Sequence, residues 1–155
     1  MTKRNGNEIM VKAIENGTVL DHIPPKALAN IISILHLDDL LVPWMTGNNF
    51  ESHKMAGGTK AFIKIENYYF GKDTLDLISL FAPEATVNAI HNSIVSKHKI
   101  EIPAQVNKLI KCANPRCITN KEGEPFATSF RVMRADALSL MCKYCEKRTT
   151  EIRLR

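Results

Sequence analysis

The sequence predicts an α+β chain in which a ferredoxin-like antiparallel sheet, with two helices on one face, is followed by a small all-β module. Three observations predict it. Short β-branched stretches alternate with two amphipathic segments through the first hundred residues. All four cysteines fall after residue 110, in two close pairs. The excess positive charge sits in the same tail: residues 1–100 carry 10 Lys/Arg and 10 Asp/Glu, whereas residues 101–155 carry 11 and 6.

Val11 to Ile14 and Thr18 to Ile23 flank Glu15-Asn16-Gly17, and an Asn-Gly between two apolar, β-branched stretches predicts a two-stranded ribbon. Pro24-Pro25 then sets the first turn of a helix running to about Leu37, with Leu28, Ile31, Ile32 and Leu35 on one face. Pro43, Gly47, Gly57 and Gly58 interrupt the next stretch, leaving a short strand at Leu40 to Val42 and a loop at Asn48 to Thr59. From Ile63 to Glu66 apolar and charged residues alternate, as in a half-buried strand. Asp73 is placed to cap a second helix with Leu75, Ile78 and Phe81 inward, ended by Pro83. Ala85 to Ile90 and Ile94 to Lys99 add two strands about a His91-Asn92 turn, and Ile100 to Pro103 reads as a hinge between domains 1–100 and 101–155. Beyond it, Gln105 to Ile110, Ser129 to Met133, Leu138 to Met141 and Thr149 to Leu154 form short strands that carry the cysteine loops. Trp44, the only tryptophan, is expected to anchor a loop on the core or at a subunit interface.

Cys112, Cys117, Cys142 and Cys145 follow the pattern C-x4-C-x24-C-x2-C. Two chelating loops of this kind can converge on one tetrahedral ion, and Zn²⁺ favours an all-sulfur tetrahedron without redox chemistry. The competing reading is a pair of disulfides or buried free thiols. The amino terminus has no apolar signal region, so the expected compartment is the reducing cytoplasm, which favours the metal. Four thiolates close the coordination shell, so a single structural zinc per chain is expected rather than a catalytic one. The tail of 55 residues is small enough for a metal to contribute much of its stability. The fold expected there is zinc-ribbon-like.

No Ser/His/Asp set, no paired carboxylates and no phosphate-binding glycine loop accompanies the closed metal shell, which argues against catalysis by this chain. No apolar run approaches the ~20 residues of a membrane span. A basic zinc ribbon that binds nucleic acid stays as the alternative class, although no Arg/Lys-rich run or aromatic ladder accompanies the cysteines.

Five blocks stand in order over nearly the whole chain: Ala13-Ile14-x-x-Gly17-Thr18-Val19-Leu20-Asp21-His22-Ile23-Pro24; Ile63-Lys64-Ile65-Glu66-Asn67; Ala82-Pro83-x-Ala85-Thr86-Val87-Asn88; Cys112-x4-Cys117-Ile118; and Cys142-Lys143-Tyr144-Cys145-Glu146. Together they resemble the aspartate carbamoyltransferase regulatory chain family. The resemblance implies a non-catalytic subunit that controls carbamoyl transfer, a step of de novo pyrimidine biosynthesis. Residues 1–100 would bind nucleoside triphosphates (CTP, UTP or ATP) and form a homodimer, and residues 101–155 would dock on separate catalytic chains. Such coupling requires different nucleotide affinities in two quaternary states.

The resemblance also implies site residues. Lys64, with Lys60 four residues earlier and of the same strand parity, would meet phosphate or sugar; without it, either lysine reads as a solvated strand face. Asp21 and His22 would contact the effector, where they otherwise read as a surface pair. The backbone of Val11, Lys12, Ala13 and Ile14 would read a base edge, and Asn88, Ile90 and Lys97 would close the pocket. Without the resemblance, Ile14 and Ile90 read as plain core packing, and for Ile90 that reading stands at least level with a role in the pocket. Asn114, Arg116, Lys143, Tyr144 and Glu146, which flank the cysteines, would touch the catalytic chain.

Overall fold

Alternation along one strand decides the first sheet. In β3 (Thr59–Glu66) Ala61, Ile63 and Ile65 are fully buried, while Lys60, Phe62, Lys64 and Glu66 between them are half-buried. One face therefore turns to a core and the other away from it. The chain is seen in a computed structural model that describes residues 13–123, 126–134 and 137–155; Val11 and Lys12 lie outside the described residues.

β1 (Gly17–Ile23) gives Leu20 and Ile23 to the same core, and two helices, α1 (Leu28–Leu35) and α2 (Lys72–Phe81), close it with Ile31, Ile34, Leu35 and Ile78. With β2 (Trp44–Glu51), β4 (Thr86–His91) and β5 (Ile94–Lys99), the sheet order is β2-β3-β1-β4-β5, antiparallel at every pairing. This is the predicted α+β plan, with both helices on one face.

Four local expectations are corrected. The ribbon at Asn16-Gly17 does not form within the described residues: β3 takes one edge of β1 and β4 the other, which leaves no edge for Ala13 and Ile14. Gly17 serves a close approach instead. Its φ is +141°, Asn67 N–H donates to the Asn16 carbonyl at 2.9 Å, and a Cβ at Gly17 would overlap the Ile65 carbonyl oxygen. The strand expected at Leu40 to Val42 lies at Trp44–Glu51, because a 3₁₀ turn at Leu37–Asp39 extends the helical region and Glu66 N–H reaches the Pro43 carbonyl at 2.9 Å. Gly47 sits within that strand rather than ending it, since any side chain there would meet the rings of Phe50 and Phe62. The loop expected from Asn48 to Thr59 accordingly shrinks to residues 52–58, tied by Ser52 N–H to the Gly58 carbonyl at 2.9 Å. Asp73 lies in the first turn of α2 but Gly71 is the N-cap, with no side-chain cap bond, so Asp73 acts only on the helix dipole.

Two further boundaries shift by one or two residues: α1 stops at Leu35 rather than about Leu37, and the turn expected at His91-Asn92 lies at Asn92-Ser93. His36 ends α1 in the left-handed region at φ +48°, and Asn92-Ser93, both at positive φ, make the tight turn between β4 and β5. After residue 104 come β6 (Gln105–Asn107), β7 (Ile110–Lys111), β8 (Ser129–Met133), β9 (Ser139–Cys142), β10 (Arg148–Thr149) and β11 (Arg153–Leu154). They form a sheet β10-β9-β8-β6 and a separate β11-β7 pair. Their core holds Val106, Ile110, Phe130 and Leu140 together with Cys112, Cys117 and Cys142. Leu80 of α2 belongs to this second core, and Leu77 and Phe81 pack against both.

Gly17→Ala is expected to destabilise the chain by at least about 2 kcal/mol, through forced strain at positive φ and overlap with backbone. Thermal unfolding of the two proteins at equal metal loading measures it; unchanged stability would show that the approach to β3 can relax.

Candidate functional site

The four cysteines converge. Cys112 follows β7, Cys117 caps a 3₁₀ turn at Ile118–Asn120, Cys142 ends β9 and Cys145 lies in the turn beyond it. All four Sγ atoms lie within 4.8 Å of one another, with Cys112 to Cys145 and Cys117 to Cys142 each at 3.8 Å. Sulfurs at tetrahedral corners about 2.3 Å from a central ion stand about 3.8 Å apart. A disulfide needs about 2.05 Å, so the spacing fits a shared ion and not cross-links.

The electrostatics point the same way. Burial pushes the Cys112 thiol up to about 12 and raises Cys142 as well. At Cys145 burial also pushes upward, but hydrogen bonds from the Asn114 side chain, the Lys147 backbone and the neighbouring thiols outweigh it and bring the group down to about 7. One thiolate forms here readily. Four together need a cation between them.

A second site lies on the sheet face that the helices leave uncovered. Register carries a row across it: Met45 pairs with Lys64, Lys64 with Val19, Val19 with Asn88, and Asn88 with Lys97. Paired residues share a face, so Lys64 and Lys97 stand on it three strand spacings apart, roughly 14 Å, with Val19 and Asn88 between them. A cleft of about 860 Å³ opens over this face. Ala13, Ile14, Asp21, Lys60, Lys64 and Ile90 all line it. Beside it a recess of about 540 Å³ holds His22 and Lys97 together with Lys54, Thr86 and Lys99. Asn88 lies on the shared face between the lysines, half-buried, and lines neither hollow.

A bulge brings Asp21 and His22 to one side. The register of β1 against β3 shifts between Leu20 and Ile23, and His22 has φ +56°. His22 N–H donates to Asp21 Oδ1 at 2.7 Å and its Nδ1 meets Thr86 Oγ1 at 3.1 Å, while Asp21 Oδ2 accepts from Lys60 Nζ at 3.0 Å. Burial lowers the His22 pKa below 6.5; Asp21 opposes the shift, and Lys60, Lys54 and Lys97 add to it. Burial likewise lowers Lys64, with Glu66 opposing.

Sequence reasoning missed the apolar wall of the cleft. Val19, Phe50, Phe62 and Val95 line it, and the Phe50 and Phe62 rings lie 5.3 Å apart at 60°. Phe62 shares the strand parity of Lys60 and Lys64, so the alternation of β3 carried the signal. Phe50 was hidden by the misplaced loop. Of the residues flanking the cysteines, Asn114 and Arg116 lie on the first ligand loop, and Lys143, Tyr144 and Glu146 on or beside the second; all but the half-buried Asn114 are exposed. Lys143 Nζ donates to Gln105 Oε1, and Tyr144 pairs with exposed Phe126 at 5.9 Å.

Residues 9–101 match the family model described as the aspartate carbamoyltransferase regulatory chain, allosteric domain, and residues 104–155 match that of the metal binding domain of the same chain. The protein is 42% identical over 142 residues to the aspartate carbamoyltransferase regulatory chain of Porphyromonas gingivalis, covering 91% of each chain. It is 38% identical over 149 residues to that of Parabacteroides distasonis, covering 96% of this chain and 94% of the relative. With that of Methanococcus maripaludis the identity is 40% over 141 residues, covering 90% of this chain and 92% of the relative. The chain belongs to the aspartate carbamoyltransferase regulatory chain family and is a regulatory, not a catalytic, chain with an allosteric and a metal-binding domain.

Proposed function

We propose that this chain binds nucleoside triphosphates on the uncovered sheet face and passes their occupancy to catalytic chains of aspartate carbamoyltransferase through a zinc-organised docking module. The observation that carries the reading is the set of cations on that face. Lys60 and Lys64 border the 860 Å³ cleft, and Lys54, Lys97 and Lys99 border the recess beside it, where His22 joins them when protonated. The base and sugar occupy the cleft against Phe50, Phe62 and Val19, with the backbone of residues 11–14 at the base edge. The phosphates extend to the recess, where several cations meet a polyanion. Ile90 completes the floor of the cleft, and Asn88 lies on the same sheet face between the lysines.

The same reading assigns residues 1–100 to effector binding and residues 101–155 to docking. A zinc ion held by Cys112, Cys117, Cys142 and Cys145 supplies structure and no chemistry, and the loops it gathers present Asn114, Arg116, Lys143, Tyr144 and Glu146 to the partner. Tyr144 with Phe126 makes an exposed aromatic anchor of the kind that interfaces bury. Homodimerisation is assigned to the β2 edge. β5 carries Lys97, His98 and Lys99, which discourage strand pairing, whereas β2 has no lysine, begins at the exposed Trp44 and follows the fully exposed Leu41. α2, whose residues serve both cores, links the nucleotide sheet to the docking module. The reading places the chain in the cytoplasm, in the pyrimidine pathway that the enzyme's name implies.

Lys64→Ala is expected to weaken CTP and ATP binding by roughly tenfold to a hundredfold without loss of metal, since a charge-assisted bond contributes about 1.5–3 kcal/mol. Titration calorimetry reads it, and full retained affinity would move the site elsewhere.

His22 gives a pH prediction. In the free protein its pKa is lowered, so the imidazole is largely neutral at pH 7; phosphates in the recess favour the imidazolium and raise it. Near pH 6.5, wild type takes up more protons on binding CTP than His22→Gln does, by up to about one per site. Calorimetry in buffers of different ionisation enthalpy measures the difference, and equal uptake would contradict the placement of the phosphates.

Cys112→Ser or Cys142→Ser is expected to release zinc and abolish assembly with catalytic chains while nucleotide binding persists. Co-purification together with elemental analysis checks this; undiminished assembly after zinc loss would refute the docking role of the metal.

A further inference from the structure

The two ligand loops are closed by different means. In the C-x2-C loop the backbone suffices: Glu146 N–H donates to the Cys142 carbonyl at 2.9 Å, and Cys142 N–H to the Lys147 carbonyl at 3.1 Å. The C-x4-C loop is two residues longer, and its own backbone bond joins Cys117 N–H to the Asn114 carbonyl at 3.0 Å. A side chain does the rest. Asn120, the last residue of the 3₁₀ turn that Cys117 caps, points its amide nitrogen into the loop. Its Nδ2 donates to the carbonyl of Cys112 at 2.8 Å and to that of Asn114 at 2.7 Å.

One planar nitrogen bearing two hydrogens matches two converging carbonyls. Asn120 thereby fixes the backbone of the ligand Cys112. Through Asn114 it also fixes the rest of the loop, because Asn114 Oδ1 accepts from Arg116 N–H at 3.2 Å. We propose that Asn120 is a positioning residue of the metal centre, preorganising the longer ligand loop so that Cys112 meets the ion at its tetrahedral corner. Outer partners of this kind commonly contribute about tenfold to a hundredfold in metal affinity.

Donation, not bulk, is the requirement. Asn120→Asp keeps the shape but sets carboxylate oxygens against two carbonyl oxygens, so it should harm the site more than Asn120→Ala, which only deletes the bonds. Cobalt(II) is a suitable probe of the full-length chain, because its visible absorption reports the tetrahedral sulfur field and its affinity can be measured by chelator competition. Val106→Ala, a substitution in the second core on β6 and outside the ligand loop, controls for general destabilisation. The expected result is a cobalt affinity lowered roughly tenfold or more in Asn120→Ala and further in Asn120→Asp, with a shifted or weakened visible band in both and an unshifted band in Val106→Ala. Wild-type affinity and spectrum in Asn120→Asp would overturn the proposal. So would weaker binding with the band unshifted, as in the core variant.

Discussion

Four sulfurs within 4.8 Å of one another, three of them on buried cysteines, set the condition on which the rest of the tail depends. Neighbouring thiolates repel, and burial, reinforced by the neighbouring cysteines, pushes Cys112 up to about 12, so the arrangement is stable as a ligand set only around a cation. Three of those cysteines are also members of the second core, beside Val106, Ile110, Phe130 and Leu140. Metal and core are therefore one structure: the ion fixes the spacing of the two loops, and the loops close the end of a sheet too small to rely on apolar burial. Whatever the tail presents to a partner is presented from those loops.

The first sheet divides its labour by parity. Odd positions of β3 are sealed under the helices, and even positions, Lys60, Phe62 and Lys64, are turned to the open face. The bulge at Asp21-His22 breaks the alternation where both side chains are wanted on one side. The result is a broad, cation-bordered surface over a rigid sheet. In the proposed function, occupancy of that surface reaches the tail through α2, because Leu77 and Phe81 pack on both cores and Leu80 is buried in the second. A ligand can shift such a coupled pair only by its difference in affinity for two arrangements.

What was legible in the sequence was what depended on periodicity and spacing. The 3.6-residue pattern of Leu28, Ile31 and Leu35, the alternation from Ile63 to Glu66 and the cysteine intervals each describe a local physical requirement, and each corresponds to an element or a cluster in the structure. What misled was chemistry with two possible causes. Asn16-Gly17 has the composition of a hairpin turn, but Gly17 is there for a close approach to β3, and strand pairing is decided by which edges long-range partners occupy. Gly47 looked like a breaker because nothing local reveals that the rings of Phe50 and Phe62 fill its place. Tertiary packing overrode propensity there, and the misplaced loop hid Phe50 from the cleft.

For the cysteines the sequence specified the ligands but not how the longer loop is held; the amide of Asn120 shows no motif and emerges only with its two carbonyl partners. The most direct measurement of the central claim is X-ray absorption at the metal edge of the purified, reduced protein. The account predicts one zinc per chain with four sulfur scatterers at about 2.3 Å. A first shell containing nitrogen or oxygen, or protein without stoichiometric metal, would contradict it.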